Sequence, residues 1–360
     1  MNTTFELPLS RIEKKQSAWN RFARVGIGIV SWAAVLLCLA LAGLVIGVTQ
    51  MPGMAKGLVF IAGLALIVAR WKVARSGWVK VCLLAALVAL GPVAVWLSQV
   101  LAYTPPILGA DGKPLPGSIA TMETVRVNGV DEWLIIRGKD ASRPVLLYLS
   151  GGPGASELGL VRGYNPALED HFLVVVWEQP GSGKSYSARP YATLTVEQYV
   201  ADGLAVVKHL RERFQQDKIF VLGSSWGTIL GVKMVQQKPD WFAAFFGMGQ
   251  MVNSTENDIL SYEYALAMAR EKGDPEAVEA IEKFGPPPYT GEGAALKYGN
   301  YLNYVNQYDA ESAGHSMPAD FFEKVFLTAE FGLLDTINQL RGSIDGMDLV
   351  YAAQLGNLNM

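Results

Sequence analysis

The sequence predicts an α/β fold: a mostly parallel sheet entered through an antiparallel hairpin, covered by a helical insertion and preceded by three transmembrane helices. Three observations predict it. Apolar runs at 145–149, 172–177, 219–222 and 242–248 are separated by stretches of helical period, and runs apolar on both faces suit strands buried in a parallel sheet. Asn128-Gly129 joins two β-like segments, 124–127 and 130–136, a strong hairpin signal. The first third of the 360-residue chain holds three long apolar stretches, and a spanning helix needs about 20 apolar residues.

Those stretches are 25–48, 51–69 and 81–103. The second is interrupted by Lys56, which can snorkel to the interface. The first is too long for a cleavable signal peptide core. Arg11, Lys14, Lys15, Arg21 and Arg24 precede the first stretch, and Arg70, Lys72, Arg75 and Lys80 lie between the second and third. The positive-inside rule places both clusters in the cytoplasm. The expected organisation is a cytoplasmic N-terminus over 1–24, three spans within 25–103 and a globular part on the outer face of the cell membrane. Residues 104–118 carry Pro105, Pro106, Pro114 and Pro116 and read as a stiff linker lifting that part off the bilayer.

The remaining elements follow in chain order. After the hairpin come the strands at 145–149 and 172–177. The helix at 195–214 has Val196, Tyr199, Val200, Leu204, Val207 and Leu210 at helical spacing. A strand at 219–222, a helix at 228–237 and a strand at 242–248 complete an expected core over 119–249. Beyond Gln250, amphipathic helices are expected at 256–272, 275–283 and 320–337, as a cap over 250–345. Net charge is −3, so no basic field points to nucleic acid. Both cysteines, Cys38 and Cys82, fall in the expected spans. The globular part therefore has no disulfide, no thiol nucleophile and no thiolate metal site. No metal or organic cofactor is implied.

Two Gly-rich segments carry the chemistry. Gly223-Ser224-Ser225-Trp226-Gly227 follows a strand and opens a helix, which reads as a nucleophile elbow. Its spacing selects Ser225 as nucleophile and leaves Ser224 in the variable position. Ser150-Gly151-Gly152-Pro153-Gly154 follows the strand ending at Leu149. Acyl transfer needs preorganised N–H donors for an oxyanion, and Gly152 with Trp226 are the expected pair. A third segment, residues 174–185, ends in Gly183-Lys184-Ser185 like a phosphate-binding loop. Glu178 stands where the leading glycine belongs, so no nucleotide is expected.

In order and spacing, SGGPG, EQPGSGKS and GSSWG resemble the proline iminopeptidase-like branch of the α/β-hydrolases, from about Thr121 onward. Ser150, Glu178 and Pro180 depart from that branch, which has histidine, aspartate and arginine there. The resemblance implies an α/β-hydrolase sheet with a helical cap. It also implies a membrane-attached serine hydrolase, an aminopeptidase releasing N-terminal proline or a small residue from a peptide. The alternatives are an esterase or amidase of the same fold, acting on a small ester or amide, and a non-catalytic membrane protein that binds a peptide or partner. An aminopeptidase must hold a substrate ammonium with carboxylates, for which Glu256, Asp258, Glu263, Asp320 and Glu323 are the cap candidates.

In this fold the triad order is Ser, acid, His, and no histidine follows His315. His171 precedes a strand at the end of the sheet away from Ser225, His209 lies on the 195–214 helix and His315 falls in the cap. None is placed as a base, with His315 the least unsuited. The strand at 242–248 is expected to be an unprotected edge. Together these lead to the expectation of a sheet incomplete at its C-terminal edge, with 346–360 as the start of a further core segment, and of little turnover by the chain as it stands.

Overall fold

The computed structural model describes residues 9–72, 76–312, 314 and 318–354. It divides into two compact units, Met1–Leu101 and Ala102–Met360. The first contains α1 (Leu9–Val48), α2 (Gly53–Lys72) and α3 (Gly77–Val100). Three helices in it, Val25–Val48, Gly53–Lys72 and Gly77–Val100, are long and apolar enough to cross a membrane. α3 begins four residues before the expected stretch, because the Ser76 side chain accepts from Val79 N–H and caps it. α1 and α3 approach so closely that a Cβ on Gly91 would lie 2.8 Å from the Cys38 carbonyl oxygen. Small residues permit such approaches between apolar helices.

The second unit is a six-stranded sheet of order β1-β2-β4-β3-β5-β6. β1 (Ile119–Val127) and β2 (Val130–Gly138) form the expected hairpin. Asn128 and Gly129 turn it with φ of 43° and 92°, as a two-residue primed turn requires. β2 pairs antiparallel with β4 (Leu173–Glu178). β3 (Val145–Leu149), β4, β5 (Ile219–Ser224) and β6 (Phe242–Met248) run parallel. β3 and β4 are buried throughout, which is why they read as unbroken apolar runs.

α4 (Leu158–Tyr164) and α5 (Leu168–His171) connect β3 to β4. They are short and carry no clear period. α6 (Val196–Phe214) is capped by Thr195, whose side chain accepts from Gln198 N–H at 3.2 Å. α7 (Trp226–Gln237) follows β5 directly. β6 is the last strand of the sheet, and Phe246 and Met248 on it are about half exposed.

The cap differs from expectation in two places. α8 (Ser254–Glu271) and α9 (Pro275–Glu282) fall where the pattern put them, but α10 (Ala294–Ser312) is an additional helix. Its Tyr298, Tyr301 and Tyr308 are buried at a three- and seven-residue spacing, a helical signal carried by aromatic rather than aliphatic residues. The helix expected at 320–337 is two, α11 (Phe321–Phe326) and α12 (Leu333–Gly346). Between them Glu330 and Phe331 are buried, Glu330 pairing with Arg162, and that inward crossing interrupts the helix.

The proline-rich stretch is not a free spacer. Leu108 bridges Pro114, and Leu115 N–H donates to Ile107 O at 2.8 Å. Tyr103 N–H donates to Ala329 O at 2.9 Å. The Arg137 guanidinium donates to Thr104 Oγ1 at 3.0 Å and to Pro105 O, and pairs with Glu169 at 2.7 Å. Prolines here shape a folded, docked turn.

Candidate active site

Ser225 sits between β5 and α7 with φ 48° and ψ −116°. A non-glycine residue there is strained and has to be held by its surroundings. Ser225 N–H donates to Met248 O at 2.8 Å, and Ser225 O accepts from Thr228 N–H at 2.8 Å and from Thr228 Oγ1 at 2.6 Å. Thr228 Oγ1 in turn accepts from Met251 N–H at 3.1 Å. The flanking glycines are dictated by space. A Cβ on Gly223 would stand 2.5 Å from Gly227 O, and one on Gly227 2.1 Å from Leu149 O.

The Ser225 side chain is exposed and opens into a cavity of about 440 Å³. Gly152, Gln250, Met251, Asp258, Tyr298 and Tyr351 are among its lining residues. The 150–154 loop lies against the elbow: a Cβ on Gly151 would be 3.4 Å from that of Ser225. Gly151 N–H is already used, donating to Glu157 Oε2 at 3.1 Å. Gly152, with φ 116°, is the next donor along the loop. Trp226 is the first residue of α7, where a backbone N–H has no acceptor within its own helix.

Glu157 ties the loop to the elbow, and no sequence motif announced it. Besides Gly151 it accepts from Tyr148 Oη at 2.9 Å and from Ser224 Oγ at 3.1 Å. Ser224 thus faces a carboxylate, while Ser225 Oγ meets only the Met251 sulfur, at 4.0 Å, among the described residues.

Of the five cap carboxylates considered, Asp258 lines the cavity. It is 5% exposed and accepts from Tyr351 Oη at 3.0 Å. Burial pushes its pKa up to about 6, against the opposing effect of hydrogen bonds from Tyr351 and Tyr298. Glu256, Glu263 and Glu323 are exposed, and Asp320 pairs with Lys324 and Tyr164. Those four are not among the cavity's lining residues.

No histidine is near Ser225 among the described residues. His171 precedes β4 at the opposite end of the parallel strands, about 20 Å away for six residues of strand. His209 lies on α6, with Nε2 3.8 Å from Glu123 Oε1. His315 is outside the described residues.

The loop resembling a phosphate binder is closed around a carboxylate. Glu178 is fully buried, and burial pushes its pKa up to about 7. It accepts from Ser156 Oγ and from Lys184 N–H. Lys184 Nζ is held by Asp335 at 2.9 Å and by Glu330 O at 2.9 Å.

Sheet order, elbow and cap together define an α/β-hydrolase fold. The family model described as alpha/beta hydrolase fold matches residues 144–272. Among curated proteins, the probable aminopeptidase YbaC of Bacillus subtilis (strain 168) is 35% identical over 178 residues, 49% of this chain and 56% of that protein. A proline iminopeptidase of Neisseria meningitidis (strain DSM 15465 / Z2491) is 35% identical over 96 residues, 26% of this chain and 29% of that protein. A solved structure, the proline iminopeptidase-related protein of Thermus thermophilus, aligns over 66% of this chain and 86% of its own at 20% identity, with a TM-score of 0.37. The chain thus spans about half the length of the first of these curated relatives and under a third of the second.

Proposed function

We propose that this chain is a membrane-anchored serine hydrolase whose site accepts the N-terminal residue of a peptide, proline or another small residue. The observation that carries the reading is the juxtaposition in one cavity of a strained, exposed Ser225, the Gly152 loop and the buried carboxylate of Asp258. The aminopeptidase names of the relatives support the substrate class. In this reading Ser225 Oγ attacks the carbonyl carbon. The N–H groups of Gly152 and Trp226 receive the oxyanion. Asp258 holds the ammonium through a charge-assisted hydrogen bond. The three apolar helices anchor the chain in the cell membrane, and the basic clusters leave its N-terminus in the cytoplasm and the hydrolase unit on the outer face.

Ser225 needs a base to take its proton and an acid to protonate the leaving amine. With no histidine near it among the described residues, turnover by this chain is slow. That same observation favours a second reading, in which the cavity binds an N-terminal peptide without cleaving it. A panel of amino-acid amides, N-blocked amides and short acyl esters tests the assignment. Binding that requires a free amine supports it. Preference for esters, or indifference to N-blocking, contradicts the aminopeptidase specificity.

A further inference from the structure

Glu157 is bonded at once to the loop that carries Gly152 and to the elbow that carries Ser225. It stands at the start of α4, where its side chain makes no cap. The carboxylate reaches instead to the ends of two paired strands, β3 and β5. Its Oε2 accepts from Tyr148 Oη at 2.9 Å and from Gly151 N–H at 3.1 Å, and its Oε1 accepts from Ser224 Oγ at 3.1 Å. Its own N–H donates to Ser150 Oγ at 3.2 Å, so the stretch from 150 to 157 closes on itself. Ser150 O in turn accepts from Gln179 Nε2 at 3.2 Å.

Two of these partners sit next to the chemistry. Gly151 directly precedes Gly152, the expected loop donor, and Ser224 directly precedes Ser225. A carboxylate that only satisfied the buried Tyr148 hydroxyl would need neither. Holding both fixes the separation of donor and nucleophile through a single planar group, and hydrogen bonds to a charged acceptor are stronger than neutral ones. The fit is close. A Cβ on Gly151 would lie 3.2 Å from Glu157 Oε1 and 3.4 Å from both Ser224 O and Ser225 Cβ. Bonding to Oε2 also engages the Gly151 amide, so an oxyanion falls to the next one, on Gly152 at φ 116°.

We infer that Glu157 is a positioning residue for the Ser225 reaction, setting the Gly152 amide against the Ser225 hydroxyl by holding the residue before each. This role rests on the hydrolase reading above. Glu157 acts through Gly151 and Ser224, to which its oxygens are bonded. Bond geometry rather than charge carries the effect, and an amide can copy it. In Glu157→Gln the side-chain carbonyl accepts from Tyr148 and Gly151. The NH2 group donates to Ser224 Oγ, which as a hydroxyl can also accept. Glu157→Ala leaves all three partners without this group.

Rates of fluorophosphonate modification at Ser225 of the full chain, with imidazole present and the adduct located by mass spectrometry, test this. The maximal rate and the half-saturating probe concentration are read separately. Glu157→Ala is expected to lower the maximal rate on the order of 10²-fold, as a misplacement of about 1 Å does, and to leave the half-saturating concentration unchanged. Glu157→Gln should bring the rate back to within a few-fold of wild type. Ser224→Ala breaks the link to the elbow with the least disturbance and should lower the rate roughly tenfold, a result that stands even where Glu157→Ala does not fold. Maximal rates in Glu157→Ala and Ser224→Ala equal to that of wild type overturn the role, and so does a Glu157→Gln rate as low as that of Glu157→Ala. If wild-type Ser225 is modified in those cases, only the role of Glu157 fails; if wild-type Ser225 is not modified at all, the hydrolase reading fails with it.

Discussion

Ser225 occupies backbone space that side chains avoid, at a cost of about 1–3 kcal/mol, and the surrounding hydrogen bonds to Met248 and Thr228 hold it there. Glycine is free of that cost. Ser225→Gly should therefore raise the unfolding midpoint of the chain, whereas Ser225→Ala, which keeps a Cβ at the same φ, should not. Equal midpoints in thermal unfolding would mean that the elbow stores no strain. Gly227→Ala should act in the opposite sense. Its Cβ would press on Leu149 O, and a loss of roughly 3 kcal/mol or more is expected in denaturant unfolding. Asp258 makes a pH-dependent prediction. Its carboxyl ionises at about 6, and only the carboxylate attracts an ammonium. Affinity for a free-amine ligand should be full above that value and fall as pH drops through it. Asp258→Asn should weaken such a ligand by about 10–100-fold, the range of a hydrogen bond to a charged group, and leave an N-blocked ligand unaffected. Calorimetric titration of both ligands checks this.

At the scale of elements, the 178–185 loop and α12 brace the segment after Gly154 through buried polar groups, Glu178 and Gln339 both bonding Ser156. Glu178 is held uncharged by burial, its pKa raised from 4.5 to about 7. A carboxyl with a raised folded-state pKa contributes stability below its unfolded value, and loses it as pH rises through the folded one. The chain should therefore lose stability between about pH 4.5 and 7, by on the order of 3 kcal/mol from this group. Glu178→Gln keeps both hydrogen-bonding partners and does not ionise. It should flatten that part of the stability–pH curve, and an unchanged slope would remove Glu178 as its source. How much of this could be read beforehand follows from which residues carried a local signal. The strands β3 to β6, the Asn128-Gly129 turn and the elbow were legible because period, turn chemistry and glycine spacing are local properties. α10 was obscured because tyrosines filled its buried face. The break between α11 and α12 depends on Glu330 meeting Arg162, 168 residues away in sequence. Glu157 joins Gly151, Tyr148 and Ser224 only once β3 and β5 are side by side. The folding of the proline-rich turn onto Arg137 and Ala329 was hidden for the same reason, since composition alone suggests a spacer.

For the whole molecule, the proposed topology puts Lys80 on the cytoplasmic side and Lys208 outside. In intact cells, cysteines introduced at those positions should react differently with an impermeant maleimide: Lys208→Cys at once, Lys80→Cys only after lysis. The reverse pattern would mean that α2 does not cross. One hydroxyl decides the hydrolase reading: Ser225, beside the Gly152 loop and lacking a nearby histidine among the described residues. Fluorophosphonate labelling of the full chain, with mass spectrometry locating the adduct and imidazole supplied as an external base, tests it most directly. Slow modification at Ser225, accelerated by imidazole and abolished by Ser225→Ala, is expected. Modification at Ser224 or elsewhere, or none at residue 225 even with imidazole present, would contradict it.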